Sequence, residues 1–286
     1  MSTEITTAFI EQYKSNVLHL AQQKGSRLRD TVRYESVTGK NHFFERIGAV
    51  SAQKRTSRHS DTPRMDTPHS RRRVSMDDYD WADLIDQEDK VRMLITPQSE
   101  YAMAGANAMG RAMDTAIIEA AVGNAYGGVA GGTTIALPSA QKIVHGSAGL
   151  TVTKLLEAKE IIDGSDVDAE EDRFCILTAK QVTDLLNSTE VKSSDYNTVK
   201  ALAQGQLDSF LGFKFVRSER VGTDTNGNRQ VTVYCKSGLG LAMGSEIQTR
   251  ISERDDKNYA TQVFLSMTIG ATRVEDEKVV EIACTE

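Results

Sequence analysis

The residues of this sequence that are best suited to chemistry are closely spaced carboxylates. Asp78, Asp80 and Asp83 could supply oxygen ligands to a divalent cation. A calcium-binding loop needs glycine at its sixth position, and this stretch has Asp83 there. A second candidate, DTNGN at 224–228, has Arg229 at that position. The spacing therefore favours an acidic strip that faces solvent or an interface, and it predicts neither a metal site nor a cofactor.

Other reactive residue types do not form a known catalytic or nucleotide-binding pattern. The five histidines are not spaced with cysteines or acids as metal ligands usually are. The chain has no P-loop, HExxH, GxSxG or dinucleotide-binding motif, and its glycine-rich run at 127–132 lacks the P-loop lysine. We therefore predict no catalytic residues and no enzymatic activity.

The charge changes sign along residues 46–89. Eight basic and two acidic residues lie between Arg46 and Arg73, whereas residues 77–89 hold seven acids and no base. Pro63 and Pro68 exclude a regular helix from the basic part. This part is either a disordered loop or a projecting hairpin ordered by a partner, which could be nucleic acid or protein. The absence of aromatic residues for base stacking and the net charge of −6 weigh against nucleic acid.

Helical periodicity is clearest after the acidic block. Residues 96–125 carry a stripe of small residues and methionine in which Met109, Met113 and Ile117 are predicted packing anchors. Trp81, the only tryptophan, is expected to fix the acidic block to the body of the protein. An amphipathic helix is also predicted over residues 3–24, with Gly25 at its end.

The second half of the chain mixes helices and strands, which predicts the α+β class. Helices are expected at 151–163, after Thr178 and at 195–207, and a strand at 173–178. Strands at 210–221 and 230–236 flank Asn226-Gly227, which predicts that they pair as a hairpin. The glycine-rich residues 123–141 are predicted to be a flexible connection. The last strand, KVVEIAC, is expected to return to the long helix.

The totals limit the remaining possibilities. The 286 residues, 39% of them hydrophobic, are enough to bury a core. No apolar run approaches the ~20 residues that span a bilayer, and we expect no membrane partner and no signal peptide. Three widely spaced cysteines favour folding in a reducing cytoplasm.

The order of these parts resembles the major capsid proteins of tailed bacteriophages, whose Hong Kong 97-type fold is shared with encapsulins. Four stretches carry the resemblance: HSRRRVSMDDYDWADLIDQEDK, TPQSEYAMAGANAMGRAMDTAIIEAA, FLGFKFVRSERV and ISERDDKNYATQVFLSMTIGATRVEDEKVVEI. They resemble the return of the extended loop, the spine helix, the approach to a hairpin of the axial domain, and the closing strands of the peripheral domain.

The resemblance implies a division of the chain into five parts. These are an N-terminal arm (1–30), an extended loop and its return (31–90), a peripheral domain with the spine helix (91–144), an axial domain (145–245) and C-terminal strands of the peripheral domain (246–286).

The resemblance also implies a function. Copies of the chain would assemble through pentamers and hexamers into an icosahedral shell in the host bacterial cytoplasm, and would enclose double-stranded DNA without sequence-specific binding. Only about 30 residues precede the loop region, so a separate scaffolding protein is expected, together with a portal and, in some systems, decoration proteins. The alternatives are an encapsulin-like compartment and a nucleic-acid-binding protein that uses residues 46–73.

In this fold the extended loop lies across a neighbouring subunit. The resemblance therefore implies that four arginines of the loop meet acidic residues there: Arg64, Arg71, Arg72 and Arg73. The candidate acids are those of residues 77–89, above all Asp77, Asp78, Asp80 and Asp83, and also Glu253, Asp255, Asp256, Glu275 and Glu277. Reversing the charge of Arg71–Arg73 is expected to leave the subunit folded and to block closed shells.

Overall fold

The computed structural model describes residues 22–55, 57–58, 61, 64–86, 98–187 and 209–286. The predicted helices at 3–24 and 195–207 lie outside these residues, apart from the last three residues of the first. The helices are α1 (Gln98–Val122), α2 (Val152–Asp163) and α3 (Ala179–Asn187). The strands up to the middle of the chain are β1 (Arg33–Ser36), β2 (Asn41–Ile47), β3 (His69–Ser75), β4 (Asp77–Ile85), β5 (Ala125–Gly127), β6 (Thr133–Ile135) and β7 (Lys142–Ile143). They are followed by β8 (Arg173–Leu177), β9 (Ser209–Phe210), β10 (Phe213–Arg217), β11 (Arg229–Cys235), β12 (Leu239–Arg254), β13 (Ala260–Arg273) and β14 (Val279–Cys284).

The long helix α1 packs on a four-stranded sheet with the order β1-β12-β13-β4, which we call the spine sheet. Alternate residues of β13 face the helix and are buried, namely Val263, Leu265, Met267 and Ile269. Met109, Met113 and Ile117 belong to the same core, as the helical stripe predicted. At 1.5 Å per residue the 25 residues of α1 span roughly 37 Å.

Trp81 packs on α1 at a position where only glycine fits. A Cβ atom built on Gly105 would lie 2.6 Å from Cε3 of Trp81 and 2.8 Å from Cδ1 of Leu265. The indole is half-buried against the core. Trp81 thus attaches β4, an edge strand of the spine sheet, to the helix, as predicted for the acidic block.

A second sheet has six strands in the order β7-β14-β11-β8-β10-β9, and it shares a hydrophobic core with α2 and α3. All five residues of β8 are buried because the two faces of the sheet contribute to different cores. Phe174 and Ile176 join the core of α1, whereas Cys175 and Leu177 pack with α2 and α3. Helix α2 starts as predicted, since the Thr151 side chain accepts a hydrogen bond from Lys154 N.

The predicted hairpin between the strands around 210–221 and 230–236 is wrong, although its turn is present. Gly227 adopts a φ of 83°, and Thr223 bridges to Arg229. However, β8 lies between β10 and β11, pairing parallel with β10 and antiparallel with β11. The Asn-Gly signal determines the local turn, whereas the pairing depends on a strand about 40 residues earlier that the local pattern does not contain.

The last strand departs from the expected division of the chain. Strand β14 pairs with β11 and β7 in the six-stranded sheet, not with the spine sheet. Residues 239–245, expected in the axial domain, begin the strand β12 of the spine sheet. The chain therefore crosses between the two sheets twice in its last 50 residues, and the boundary predicted at 245/246 divides a continuous strand.

A third sheet, β2-β3-β5-β6, contains the arms of the basic segment, which form an antiparallel hairpin paired from Asn41↔Ser75 to Ile47↔His69. The glycine-rich region expected to be flexible forms a short hairpin, β5–β6, that adds two strands to this sheet. Gly131 approaches the Arg73 side chain so closely that a Cβ atom would lie 2.6 Å from it. Glycine serves here in close packing as well as in turns.

Residues 23–28 lie on the surface of α1. The buried Asp114 carboxylate accepts hydrogen bonds from Arg27 N and Leu28 N, each at 3.1 Å, and from the Ser26 hydroxyl at 2.5 Å. One helical turn earlier, Gly110 has no room for a side chain, because a Cβ atom would lie 2.3 Å from the Gly25 carbonyl carbon. The last part of the predicted N-terminal arm is thus fixed to the middle of the spine helix.

Candidate assembly surfaces

The hairpin projects beyond its paired arms as an exposed segment. Every described residue from 47 to 70 is exposed, including Ile47, Val50 and Met65, whose exposed fractions are 70%, 59% and 40%. The same segment carries Lys54, Arg55, Arg58 and Arg64. Arg64 lies 3.8 Å from Asp66, and both side chains are more than nine-tenths exposed. Exposed apolar residues beside exposed cations are typical of a surface that binds a partner.

The three consecutive arginines of β3 face different surroundings because side chains alternate along a strand. Arg71 pairs with Glu45 on β2 at 2.9 Å, and its guanidinium lies 5.2 Å from the ring centroid of Phe43. Arg73 is half-buried, with its guanidinium 5.3 Å from the ring centroid of Tyr126. Both arginines therefore already have partners in their own sheet.

Arg72 is buried within its own subunit, which corrects its expected role as a contact to a neighbour. Its side chain is 3% exposed and forms an ion pair with Asp276, with Nη2 2.5 Å from Oδ2. Burial lowers the pKa of Arg72, and the Asp276 carboxylate opposes this effect. Substituting glutamate here would bury a second carboxylate beside Asp276, so the triple reversal of Arg71–Arg73 would disturb folding and not assembly alone.

Asp276 joins the hairpin to the body of the protein. Its other oxygen, Oδ1, accepts a hydrogen bond from Nε of Arg273 at 2.6 Å, and Arg273 is fully buried. Arg273 in turn donates to the Gly123 carbonyl at 2.6 Å, after the end of α1, and to the Ile135 carbonyl at 3.0 Å in β6. Arg46 of β2 donates to the Val274 carbonyl at 2.7 Å. These contacts fix the base of the hairpin.

The predicted acids of the first group lie on β4, at the edge of the spine sheet. Asp77, Asp78 and Asp80 are exposed, and Asp78 accepts a hydrogen bond from the Thr268 hydroxyl at 2.7 Å. Asp83 is half-buried and accepts a hydrogen bond from Leu84 N at 2.9 Å. The three exposed carboxylates form an acidic edge that has no basic side chain as an ion-pair partner in the part of the chain that the structure describes.

The other predicted acids lie apart from this edge. Exposed Glu253 is on β12, and Asp255 and Asp256 follow it in the turn to β13, where Asp256 pairs with Arg254 at 2.9 Å. The register places Asp77 opposite Ile269 and Ile85 opposite Thr261. The strand from Asp77 to Ile85 spans roughly 27 Å, and the turn lies beyond Ile85. Glu275 pairs with Lys278 at 3.3 Å, and exposed Glu277 follows Asp276.

Residues 224–228, the second stretch considered as a metal site, form a turn that is held by its own hydrogen bonds. Asp224 Oδ1 accepts hydrogen bonds from Asn226 N and Asn228 N, both at 2.8 Å, and Oδ2 accepts one from Asn228 Nδ2 at 3.0 Å. These bonds, first of all that of the Asn228 side chain, lower the pKa of Asp224.

Across the described ranges no three metal-ligating side chains come together, and no helix is long and apolar enough to cross a membrane.

Reasoning from the sequence did not identify the buried cluster of Arg72, Asp276 and Arg273. Asp276 stands in an acidic turn, VEDEK, that looks solvated, and Arg72 is one of three arginines in a row. Strand alternation would have separated Arg72 from its neighbours once β3 was predicted. No pattern along the chain connects it with a residue about 200 positions later.

Comparison with known proteins identifies the fold. Residues 5–286 match the family model described as phage capsid protein. Three similar solved structures are the capsid of cyanophage P-SCSP1u (20% identity, covering 100% of this chain and 96% of that one, TM-score 0.74), the capsid of Ralstonia phage GP4 (10%, 96% and 95%, 0.74) and Mycobacterium phage Che8 (16%, 96% and 97%, 0.69). No curated protein matches the sequence.

These structures share the fold at low sequence identity, and the family match extends over nearly the whole chain. The long helix α1 and the projecting hairpin correspond to the spine helix and the extended loop that the resemblance implied. The chain belongs to the phage capsid protein family and is a major capsid protein, a structural protein of the virion with the Hong Kong 97-type fold of tailed phages.

Proposed function

We propose that the hairpin of each subunit holds the shell together by lying on the acidic edge of a neighbouring subunit. The observation that carries the proposal is that the subunit exposes two surfaces of opposite charge: a basic hairpin tip with apolar residues, and the acidic edge formed by Asp77, Asp78 and Asp80. Opposite charges of this kind mainly set register and reject wrong docking. Arg64 remains a candidate contact, as does Arg71 in its exposed part.

The geometry of the subunit favours a contact between subunits over one within the chain. The paired arms run about 20 Å from Ser75, which adjoins β4, to His69, and the tip lies beyond His69. The basic tip therefore points away from the acidic edge of its own subunit. Since the base is fixed through Arg72 and Asp276, the tip is presented to another molecule in a defined direction.

The remaining assembly contacts follow from the same division. Closed rings of five or six subunits need heterologous contacts, in which two different surfaces of the subunit meet. We assign these to the axial domain, formed by the six-stranded sheet with α2 and α3. We assign the spine sheet and α1 to the peripheral domain. The five-part division of the chain is otherwise kept, but β14 is assigned to the axial domain and the whole of β12 to the peripheral domain.

The expected partners are proposals of the same kind. Assembly in the cytoplasm of the host bacterium would use a separate scaffolding protein and a portal, with decoration proteins added in some systems. The shell would enclose double-stranded DNA without reading its sequence.

Electron microscopy of negatively stained protein tests the proposed function. We expect closed polyhedral shells from the protein purified alone or coexpressed with a scaffolding protein from the same genome. Nuclease-resistant DNA inside shells made during infection would support the phage role. Enclosed enzyme would indicate the encapsulin-like alternative, and particles that never close under either condition would contradict the proposal.

A further inference from the structure

The fold gathers arginines from three distant parts of the chain around one cleft. The cleft has a volume of about 740 Å³ and lies between the segment that precedes β1, the middle of α1 and the loop after β10. Arg27, Arg111 and Arg220 line it, one from each part, together with Gln22 and Thr115. These arginines are not close in sequence, so the basic cluster exists only in the folded subunit.

Each of the three guanidinium groups is held by neutral acceptors. Nη1 of Arg111 donates to Gln22 Oε1 at 2.8 Å, and Nη1 of Arg27 donates to the Arg217 carbonyl at 2.7 Å. Nη1 of Arg220 lies 3.3 Å from the Thr115 hydroxyl. Within the described ranges no carboxylate forms an ion pair with any of the three. Their side chains are thus positioned while their charge is not neutralised.

The carboxylate that lines the cleft is directed elsewhere. Oε1 of Glu219 accepts a hydrogen bond from Ala179 N at 2.7 Å, at the start of α3. There it interacts with the positive end of the helix dipole, which takes up part of its charge. The cleft therefore keeps a net positive character on a chain whose total charge is −6.

We propose that this cleft binds backbone phosphates of double-stranded DNA. Guanidinium groups form paired, charge-assisted hydrogen bonds with phosphate oxygens, and several of them around an open cleft suit neighbouring phosphates of a duplex. Contact with phosphates alone carries no sequence information, which agrees with packaging of any genome sequence. The identification of the phosphate source as DNA rests on the proposed function, since the shell would enclose DNA.

The test measures binding of a fluorescent 20-base-pair duplex to unassembled subunits over a series of salt concentrations. Each phosphate contact contributes about −0.9 to the slope of log K against log salt concentration. We expect the magnitude of that negative slope to fall by ~0.9 in Arg27→Gln and in Arg220→Gln, and by ~1.8 in the double variant. Arg111 is left unchanged because it also holds residues 22 and 23.

Two controls separate this site from general electrostatic attraction. Arg250→Gln removes one exposed positive charge from β12, a strand that contributes no residue to the lining of the cleft, and is expected to leave the slope unchanged. The triple variant Lys54→Gln, Arg58→Gln, Arg64→Gln tests the basic hairpin instead. A slope that responds to the hairpin variant and not to Arg27→Gln and Arg220→Gln would overturn the proposal.

Two further measurements separate binding of DNA from binding of free phosphate, and a binding defect from an assembly defect. Displacement of the duplex by millimolar inorganic phosphate at constant ionic strength would show a site for the free anion and overturn the assignment to DNA. Shell formation by each variant is followed in parallel. If the cleft variants form normal shells and keep the wild-type salt slope, DNA binding by the cleft is refuted and the proposed function is not. If the wild-type protein never forms shells, the proposed function is refuted and the binding measurement is unaffected.

Discussion

Replacing Asp276 with alanine is expected to lower the free energy of unfolding by about 3–5 kcal/mol, because it leaves two buried guanidinium groups without their carboxylate. Arg72 is 2% and Arg273 0% exposed, so neither can reach water without local opening. Urea denaturation of unassembled subunits measures the loss. We also expect the hairpin to become more sensitive to proteolysis than the spine sheet, since Asp276 connects Arg72 of β3 to the buried Arg273.

The matched control is Asp256→Ala, which removes the same charge from an exposed pair with Arg254. An exposed ion pair contributes little to stability because both charges remain solvated, so this variant should unfold at nearly the wild-type urea concentration. If Asp276→Ala were as stable as Asp256→Ala, the buried cluster would not be what fixes the hairpin.

Reversing the charge of the hairpin tip is expected to block shell closure while leaving the subunit folded. Lys54, Arg58 and Arg64 are exposed, and the ion pair seen at the tip joins Arg64 to the equally exposed Asp66. Substituting all three with glutamate would place like charges against the acidic edge of the neighbour, at a cost of several kcal/mol per contact. Closed shells, counted by electron microscopy, should fall at least about tenfold, since tenfold corresponds to ~1.4 kcal/mol.

Two matched variants make this result specific. Exchanging lysine and arginine at the same three positions keeps the charge and should keep the shells. Combining the glutamate variant with Asp77→Lys and Asp80→Lys should restore closure if β4 is the docking edge. Normal shells from the glutamate variant, or no rescue by the combined variant, would argue against charge pairing between these two surfaces.

The fold class and the main elements could be predicted because their signals are local. The stripe that contains Met109, Met113 and Ile117 specifies a helix face, and alternation specifies β13. Thr151 and Gly164 mark the ends of α2. These patterns depend on neighbours within one or two helical turns, so they are readable without the fold.

The errors concern contacts between distant parts of the chain. The insertion of β8 between β10 and β11, and the pairing of β14 with β11, depend on packing across the whole domain. Similarly, the burial of Arg72 depends on Asp276. Runs of like charge predict a solvated surface on average. They do not reveal which member turns inward to meet a partner about 200 residues away.

The most direct test of the account is a cryo-electron microscopy reconstruction of the assembled shell, resolved well enough to trace residues 48–68. We expect the tip of each hairpin to lie on strand β4 of a neighbouring subunit, with basic side chains of the tip beside Asp77, Asp78 and Asp80. A hairpin tip that folds back on its own subunit, or that docks on a neighbour away from β4, would contradict it.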